Sequence, residues 1–527
     1  MQLNRVDPSS ERGVAMLVVL MALVAGSMLA AVTLSAAGAD LPFAKASQDR
    51  KQAHAAAEAG MAYYMYQLSL DNDYWTRCDQ VPGPAPGQPA PVNQKWDPKP
   101  GAKDPRVWRK LPGSKAEYTL ELIPDSGTSC VAGNADGTMI DRSSGTFRIR
   151  ASGRSGDVTR TLVNTLRRSS FLDYIYFTDY ETADPITYPD ASSRAWAEQE
   201  CVKPRAQRHN NCTEIQFSDA DAIRGPFHTN DSVLHCNTTQ FGRGPNDRVE
   251  VSGPEGFIKV GGCNGNPDMQ GTSVLNADPL EVPPSNSTLA TTALPAYRYT
   301  GKTTILLKGN VMDVTRSDGT KQTNVPLPSN GVIYVSNSSC STGTTVPMLA
   351  RYNESSGCGN LYITGTYSQS LTIATANDII VGGPGVANGN LTRDPTKDVV
   401  LGLIATNFVR VYHPVTRSDW NDENNCTNAA GTQNNVTIDA AILTLKHSFT
   451  VDNYRCGAKL QTLRVMGAIA QKFRGPVGTT RPTGYTKDYE YDDRLKYRSP
   501  PFFLDPVSAA WKINRAHEQV PATAEIP

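Results

Sequence analysis

The chain has no charge bias. Its 51 lysines and arginines balance 51 aspartates and glutamates, for a formal net charge of zero. That removes the basic footprint a nucleic-acid partner requires. The signatures of common chemistries are also missing: there is no G-x-S-x-G elbow, no P-loop, no HExxH and no EF-hand loop. No two cysteines stand in CxxC spacing, and no Cys/His spacing matches a zinc site. The 7 histidines are dispersed; His228 and His235 lie near each other but do not form a metal pair unaided. Asp184, Asp190, Asp219 and Asp221 fall in loops where calcium could bind, although solvated loop carboxylates are commoner. Asp71 and Asp73 read as terminators of a helix. Nothing singles out an acid/base pair of carboxylates. The sequence therefore reads as a non-enzyme with no catalytic residue, no metal and no cofactor.

Residues 14–39 lack any charged side chain. As a helix they would extend about 39 Å, enough to cross a hydrocarbon core of about 30 Å with some tilt. The run is too long for the apolar part of a signal peptide, although Leu34–Ala39 offers small residues of the cleavage-site kind. Its flanks are Glu11-Arg12-Gly13 in front and Asp40 and Lys45 behind. Further on, Ala53, Ala56, Ala57, Gly60 and Tyr64 recur at helical spacing, so residues 14 to about 70 read as one long helix.

The 10 cysteines all follow the apolar run. They are Cys78, Cys130, Cys201, Cys212, Cys236, Cys263, Cys340, Cys358, Cys426 and Cys456. An even number beyond a membrane segment reads as disulfides in an oxidising compartment. Sequence leaves the connectivity open. The simplest arrangement pairs neighbours, 78–130, 201–212, 236–263, 340–358 and 426–456, each closure contributing about 2–4 kcal/mol.

The short leader ending at Gly13, the apolar helix that follows at once, and the continuation around Ala56-Glu58-Ala59-Gly60 resemble type IV pilins, most closely minor pilins of the PilX type. The specific similarity covers residues 11 to about 68. It implies cleavage by a prepilin peptidase between Gly13 and Val14, on the cytoplasmic side, with the helix kept. It also implies a single pass through the inner membrane, an exported C-terminal region and packing against other pilin subunits. Major pilins carry a glutamate at the fifth mature position, where this chain has Val18. PilX-type proteins and the tip pseudopilins of type II secretion lack it too, so the departure favours a minor or tip subunit.

Past the helix, residues 80–105 are Pro-rich and read as a linker. Residues 116–123, 145–153 and 158–166 alternate as strands between turns such as Asn134–Gly137 and Ser155–Asp157. From Phe171 onward, short apolar runs recur with Gly and Asn punctuation: 361–365, 371–374, 378–383, 399–405, 436–451 and 463–470. Such runs suggest a parallel β-solenoid of irregular period, with a β-sandwich as the alternative. N-x-S/T sequons, as at Asn211, Asn337 and Asn435, read as turn chemistry.

The expected architecture is α+β. A leader (1–13) and a transmembrane pilin helix (14–70) precede a pilin-like unit with an antiparallel sheet (71–168). A β-rich, solenoid-like domain (169–483) and a C-terminal cap (484–527) follow. The expected function is a minor pilin displaying a disulfide-stapled β-domain for assembly or adhesion. The alternatives are a membrane-anchored polysaccharide-active β-solenoid enzyme and a tip pseudopilin. The latter family usually carries a mostly helical insert, which this chain does not.

Overall fold

The computed structural model describes residues 9–71, 74–78, 108–126, 130–131, 134–141, 146–168, 170–218, 221–341, 345–386, 388–420, 425–479, 483–496, 498–506 and 511–520. The chain divides into two compact units. Unit 1 takes residues 1–140, 147–167 and 511–527; unit 2 takes 141–146 and 168–510. The whole is mixed α+β with few helices and a large β-rich region.

In unit 1 a 62-residue helix, α1 (Ser9–Leu70), lies on a five-stranded sheet. The sheet contains β1 (Arg109–Lys110), β2 (Glu117–Ile123), β3 (Thr146–Ser155) and β4 (Val158–Arg168); β1, β2 and β3 pair antiparallel. The expected small-residue stripe is the contact face. Ala53, Ala56, Ala57 and Tyr64 are buried, with Met61 and Leu68 beside them. Small residues let the backbones approach: a Cβ on Gly153 of β3 would lie 2.0 Å from the Ala53 carbonyl oxygen and 2.5 Å from the Ala57 nitrogen. Cys78–Cys130 ties the end of the helical region to this unit.

The fifth strand of the sheet, Trp511–Glu518, comes from the far end of the sequence and lies beside β4. Trp511 packs edge-on to Phe147 at 4.6 Å, and Glu518 pairs with Arg160 at 3.0 Å. The expected cap spans residues 484–527. Those residues divide between the two units, because an aromatic anchor and a free sheet edge in unit 1 recruit the last strand.

Along α1 the apolar side chains from Met16 to Leu29 are exposed. Among the described residues no helix is long and apolar enough to cross a membrane. The expected span at 14–39 lies partly outside them, since its side chains are described only over 16–29. Gly13 and Val14 fall within α1, and their side chains, the leader before Ser9 and the Pro-rich segment at 80–105 lie outside the described residues.

Unit 2 is built on parallel pairing. Ten strands form one ladder: β5 (Tyr176–Tyr180), β6 (Phe227–Thr229), β7 (Arg248–Val251), β8 (Thr272–Leu275), β9 (Arg298–Thr300), β10 (Val332–Ser336), β11 (Leu371–Thr375), β12 (Leu401–Ala405), β13 (Val436–Thr444) and β14 (Thr462–Phe473). Their spatial order is β8–β7–β6–β5–β14–β13–β12–β11–β10–β9, parallel at every step. The chain therefore starts mid-ladder at β5 and builds outward to β8. It resumes at the opposite edge with β9 and builds back until β14 meets β5. Several expected apolar runs fall on these strands.

Register aligns like residues in columns. Ile333, Ile373, Leu403, Ile442, Ile469 and Tyr176 stand opposite one another in turn and fill the main core. The next column, Ala374, Ile404, Leu443, Ala470 and Phe177, faces the other way. It is covered by the segment 276–297, which connects β8 to β9 across the face. Leu280, Leu289 and Ala293 bury against that column. Asn286 donates to the carbonyls of Thr375 and Ile404, and Asn230 exchanges two hydrogen bonds with the Leu280 backbone. A parallel sheet needs cover on both faces, and this strap supplies the second.

The junction of β14 with β5 is keyed by charge. Arg474 pairs with Glu181 at 3.2 Å, Lys487 with Asp221 at 2.9 Å, and Arg224 with Asp488. Thr486–Tyr491 extends the junction by pairing with β14 on one side and Ala222–Arg224 on the other.

The helix–sheet contact predicts that Gly153→Leu will be costly, because backbone rather than a movable side chain stands in the way. Overpacking of this kind costs roughly 1–3 kcal/mol or more. Thermal unfolding followed by circular dichroism should show a lowered midpoint; an unchanged midpoint would contradict the backbone contact between α1 and β3.

Candidate functional site

Three short strands stack parallel beside the main ladder: Ile379–Val381, Val409–Val411 and Phe449–Val451. The middle one carries an arginine where its neighbours have Ile380 and Thr450. Arg410 is fully buried. Its Nε donates to Asp378 at 3.0 Å, Nη1 to both oxygens of Asp452 at 2.9 and 3.0 Å, and Nη2 to Glu354 at 2.8 Å. Tyr352 donates to Asp452 at 3.0 Å, and Tyr362 to Glu354 at 3.3 Å.

One guanidinium cannot balance three desolvated carboxylates. Burial pushes Asp452 up to about 6 and raises Asp378 as well, against the pull of Arg410. Glu354 also feels burial, but Arg410 prevails and holds it below the usual glutamate value. The cluster thus raises the pH at which Asp452 takes up a proton to about 6.

The cluster sets the next turn of chain. Asn453, with φ of 48°, adopts the left-handed conformation that asparagine tolerates. Its side chain donates to the carbonyls of Ala350 and His413 at 3.1 and 3.0 Å. Tyr454 and Arg455 follow, and Cys456 closes onto Cys426. Tyr454 and Arg455, with Met348 and Trp420, line one side of a cavity of about 620 Å³.

The opposite wall comes from the chain after β5. Asp184 caps the turn Pro185–Thr187 by accepting from the Ile186 backbone, and it takes a second bond from His447 Nδ1 at 2.9 Å. The Tyr188 hydroxyl accepts from the Thr213 backbone at 2.8 Å, and its carbonyl accepts from Arg194 Nε at 2.8 Å. Arg194 stands on the helix Ala191–Glu200, which is capped by Asp190 and closed by Cys201–Cys212. The cavity is therefore walled from both sides of the β14–β5 junction. Asp184 is the only carboxylate among its described lining residues.

The cysteines pair as sequence neighbours: 78–130, 201–212, 236–263, 340–358 and 426–456. Two of these bridges adjoin the cavity's lining in sequence, Cys212 before Thr213 and Cys456 after Arg455. The loop aspartates do not converge: Asp184 and Asp190 serve as caps, Asp221 is ion-paired, and Asp219 lies outside the described residues. His228 bonds Glu250 at 2.8 Å, while His235 sits on the separate strand Val233–His235. Among the described residues no group of three His, Cys, Asp or Glu is placed to hold a metal ion. Sequence reasoning missed Arg410 and the aromatic lining. The signal for the first was present: Val409-Arg410-Val411 puts a charge at the centre of a buried apolar strand, which demands a partner.

Replacing Arg410 by Met leaves three buried carboxylates without a cation and should cost about 3–5 kcal/mol near neutral pH. The loss should shrink toward pH 4 as the carboxyls protonate. The sign for Asp452 follows from its raised folded value: it adds stability fully below its ordinary 3.8, and that contribution is lost as pH rises through about 6. Denaturant unfolding of wild type and R410M at pH 4 and 7 checks this; an equal or larger loss at pH 4 would contradict it.

No family model matches the chain, and no curated protein matches it. Among solved structures, the competence-associated pilin ComZ from Thermus thermophilus aligns with 13% identity and a TM-score of 0.29, over 89% of this chain and 97% of that one. A TM-score that low is no guide to fold or function.

Proposed function

We propose that this chain is a minor subunit of a type IV pilus or a related surface filament, held by the N-terminal part of α1 and displaying unit 2 outside the cell. The observation that carries the reading is α1 itself. One uninterrupted helix has its Ala-rich half seated on an antiparallel sheet while its apolar half stands exposed along Met16–Leu29. A row of exposed apolar residues needs a lipid or protein environment, and a filament core of packed helices supplies one after the membrane does. Processing between Gly13 and Val14 by a prepilin peptidase would release the helix for assembly. Val18 in place of a glutamate suits a subunit that is not the main repeat.

Five disulfides belong with an extracytoplasmic location. The parallel ladders of unit 2 are read as the walls of an irregular β-solenoid, a rigid body suited to display. Within this reading the protein is not an enzyme, and its partners are other filament subunits, the peptidase and the inner membrane before assembly.

Shearing surface filaments from cells tests the proposal. The protein should co-purify with them and begin at Val14 by mass spectrometry. Retention wholly in the membrane fraction, with filaments assembling normally in its absence, would overturn it.

A further inference from the structure

We propose that the cavity beside the β14–β5 junction binds an acidic saccharide, a pyranose ring carrying a carboxylate. The proposal deepens the display role above by naming what the displayed unit would contact. It rests on three features of the wall.

The first is aromatic surface. Tyr188, Trp420 and Tyr454 line the cavity, and the C–H face of a sugar ring packs on such surfaces as other apolar faces do. The second is charge. Arg194 and Arg455 line it against the single carboxylate of Asp184, and Asp184 is already engaged by His447. Two more guanidinium groups, those of Arg351 and Arg417, stand 4.8 and 5.3 Å from the Trp420 ring. Four guanidinium groups thus gather at or beside the cavity, with Asp184 in its lining and Asp419 next to Trp420 as the nearby carboxylates. Arginine presents a planar fork that matches a carboxylate.

The third feature is preorganisation. The Tyr188 ring is held at its hydroxyl by the Thr213 backbone, and Arg194 is held at Nε by the Tyr188 carbonyl. Tyr454 is buried in the main core, and its backbone and that of Arg455 run between Asp452, bonded to Arg410, and the Cys426–Cys456 bridge. Little ordering remains to be lost on binding. The volume of about 620 Å³ falls within the range of small-ligand sites.

An extended peptide fits less well. Strand addition needs a free edge, and Gly478–Thr479 in the lining is already paired with Thr483–Gly484. The bowl thus offers ring stacking and a carboxylate clamp rather than a ladder.

The test uses the full-length chain in detergent micelles and saturation-transfer NMR with sialyllactose, trigalacturonate and lactose. At least one acidic sugar should bind, and more tightly than lactose by about tenfold or more, as two charge-assisted contacts would give. Trp420→Ala and the double variant Arg194→Ala/Arg455→Ala should each weaken binding by about tenfold or more. These side chains lie at or near the surface, and circular dichroism should show both variants folded. Lys321→Ala, in a separate groove, should bind as wild type.

Binding of neither acidic sugar would overturn the proposal, as would equal binding of lactose or binding that survives both cavity variants. Displacement of the sugar by a tyrosine-rich tripeptide at lower concentration would overturn it in favour of a peptide site. Because binding is read on the isolated chain, it can fail while the protein still co-purifies with filaments, and it can hold when filament incorporation fails.

Discussion

The parallel pairing of β14 with β5 joins segments far apart in the chain; the Arg474–Glu181 ion pair across it links residues separated by 293 positions. Every other feature of unit 2 is arranged around that junction. The stretch from β5 to β8 builds away from it, and the stretch from β9 to β14 builds toward it. Without it the unit would be two ladders with exposed edge strands, each edge a template for unwanted pairing. The ion pairs Arg474–Glu181, Lys487–Asp221 and Arg224–Asp488 give the junction a register that apolar contacts alone would not specify. The strap at 276–297 follows from the same constraint, because a chain that ends one run at β8 and resumes at β9 must traverse ten strands, roughly 43 Å at about 4.8 Å per step.

Site and scaffold are coupled through this arrangement. Asp184 and Tyr188 follow β5 closely, while Tyr454 and Arg455 follow the Phe449–Val451 strand that leads into β14. The cavity exists only when the two stretches are docked. The Arg410 cluster plays the same part on one wall. Buried ion clusters are poor sources of net stability, since desolvation offsets their attraction. Here the cluster fixes three successive strands and the left-handed turn at Asn453, so what it contributes is geometry. Asn377, bonded to both Asn360 and Asn407, makes a neutral version of the same cross-strand tie.

Much of the local structure was legible in the sequence because it depends on local chemistry. The Ala/Gly/Tyr stripe at residues 53–64 follows helical periodicity and is the face that packs. Alternation marked β2, β3 and β4, and short apolar runs marked β11 and β12. Chain-distant pairing was not legible. Thr486–Tyr491 and Trp511–Glu518 look alike as a polar, Tyr- and Trp-containing tail, yet the first completes unit 2 and the second enters the sheet of unit 1. Nothing local to either distinguishes them; the choice is made by open edges hundreds of residues away. The order of the ladder was hidden for the same reason, since a strand's sequence sets which face is apolar but not which of many similar edges it joins. The cavity drew on six separate segments, so no spacing rule could assemble it.

The central claim is that unit 2 is one cooperative body closed at the β14–β5 junction. Such a high-contact-order pairing forms late and, once formed, should protect both sides together. Amide hydrogen exchange on the full-length protein, resolved by peptide, measures this directly. The account predicts that residues 176–180 and 469–473 exchange as slowly as β11, β12 and β13, and that mild denaturant raises all of them in one step. Exchange of the whole 176–275 stretch in a separate, faster step, with 298–491 still protected, would contradict it.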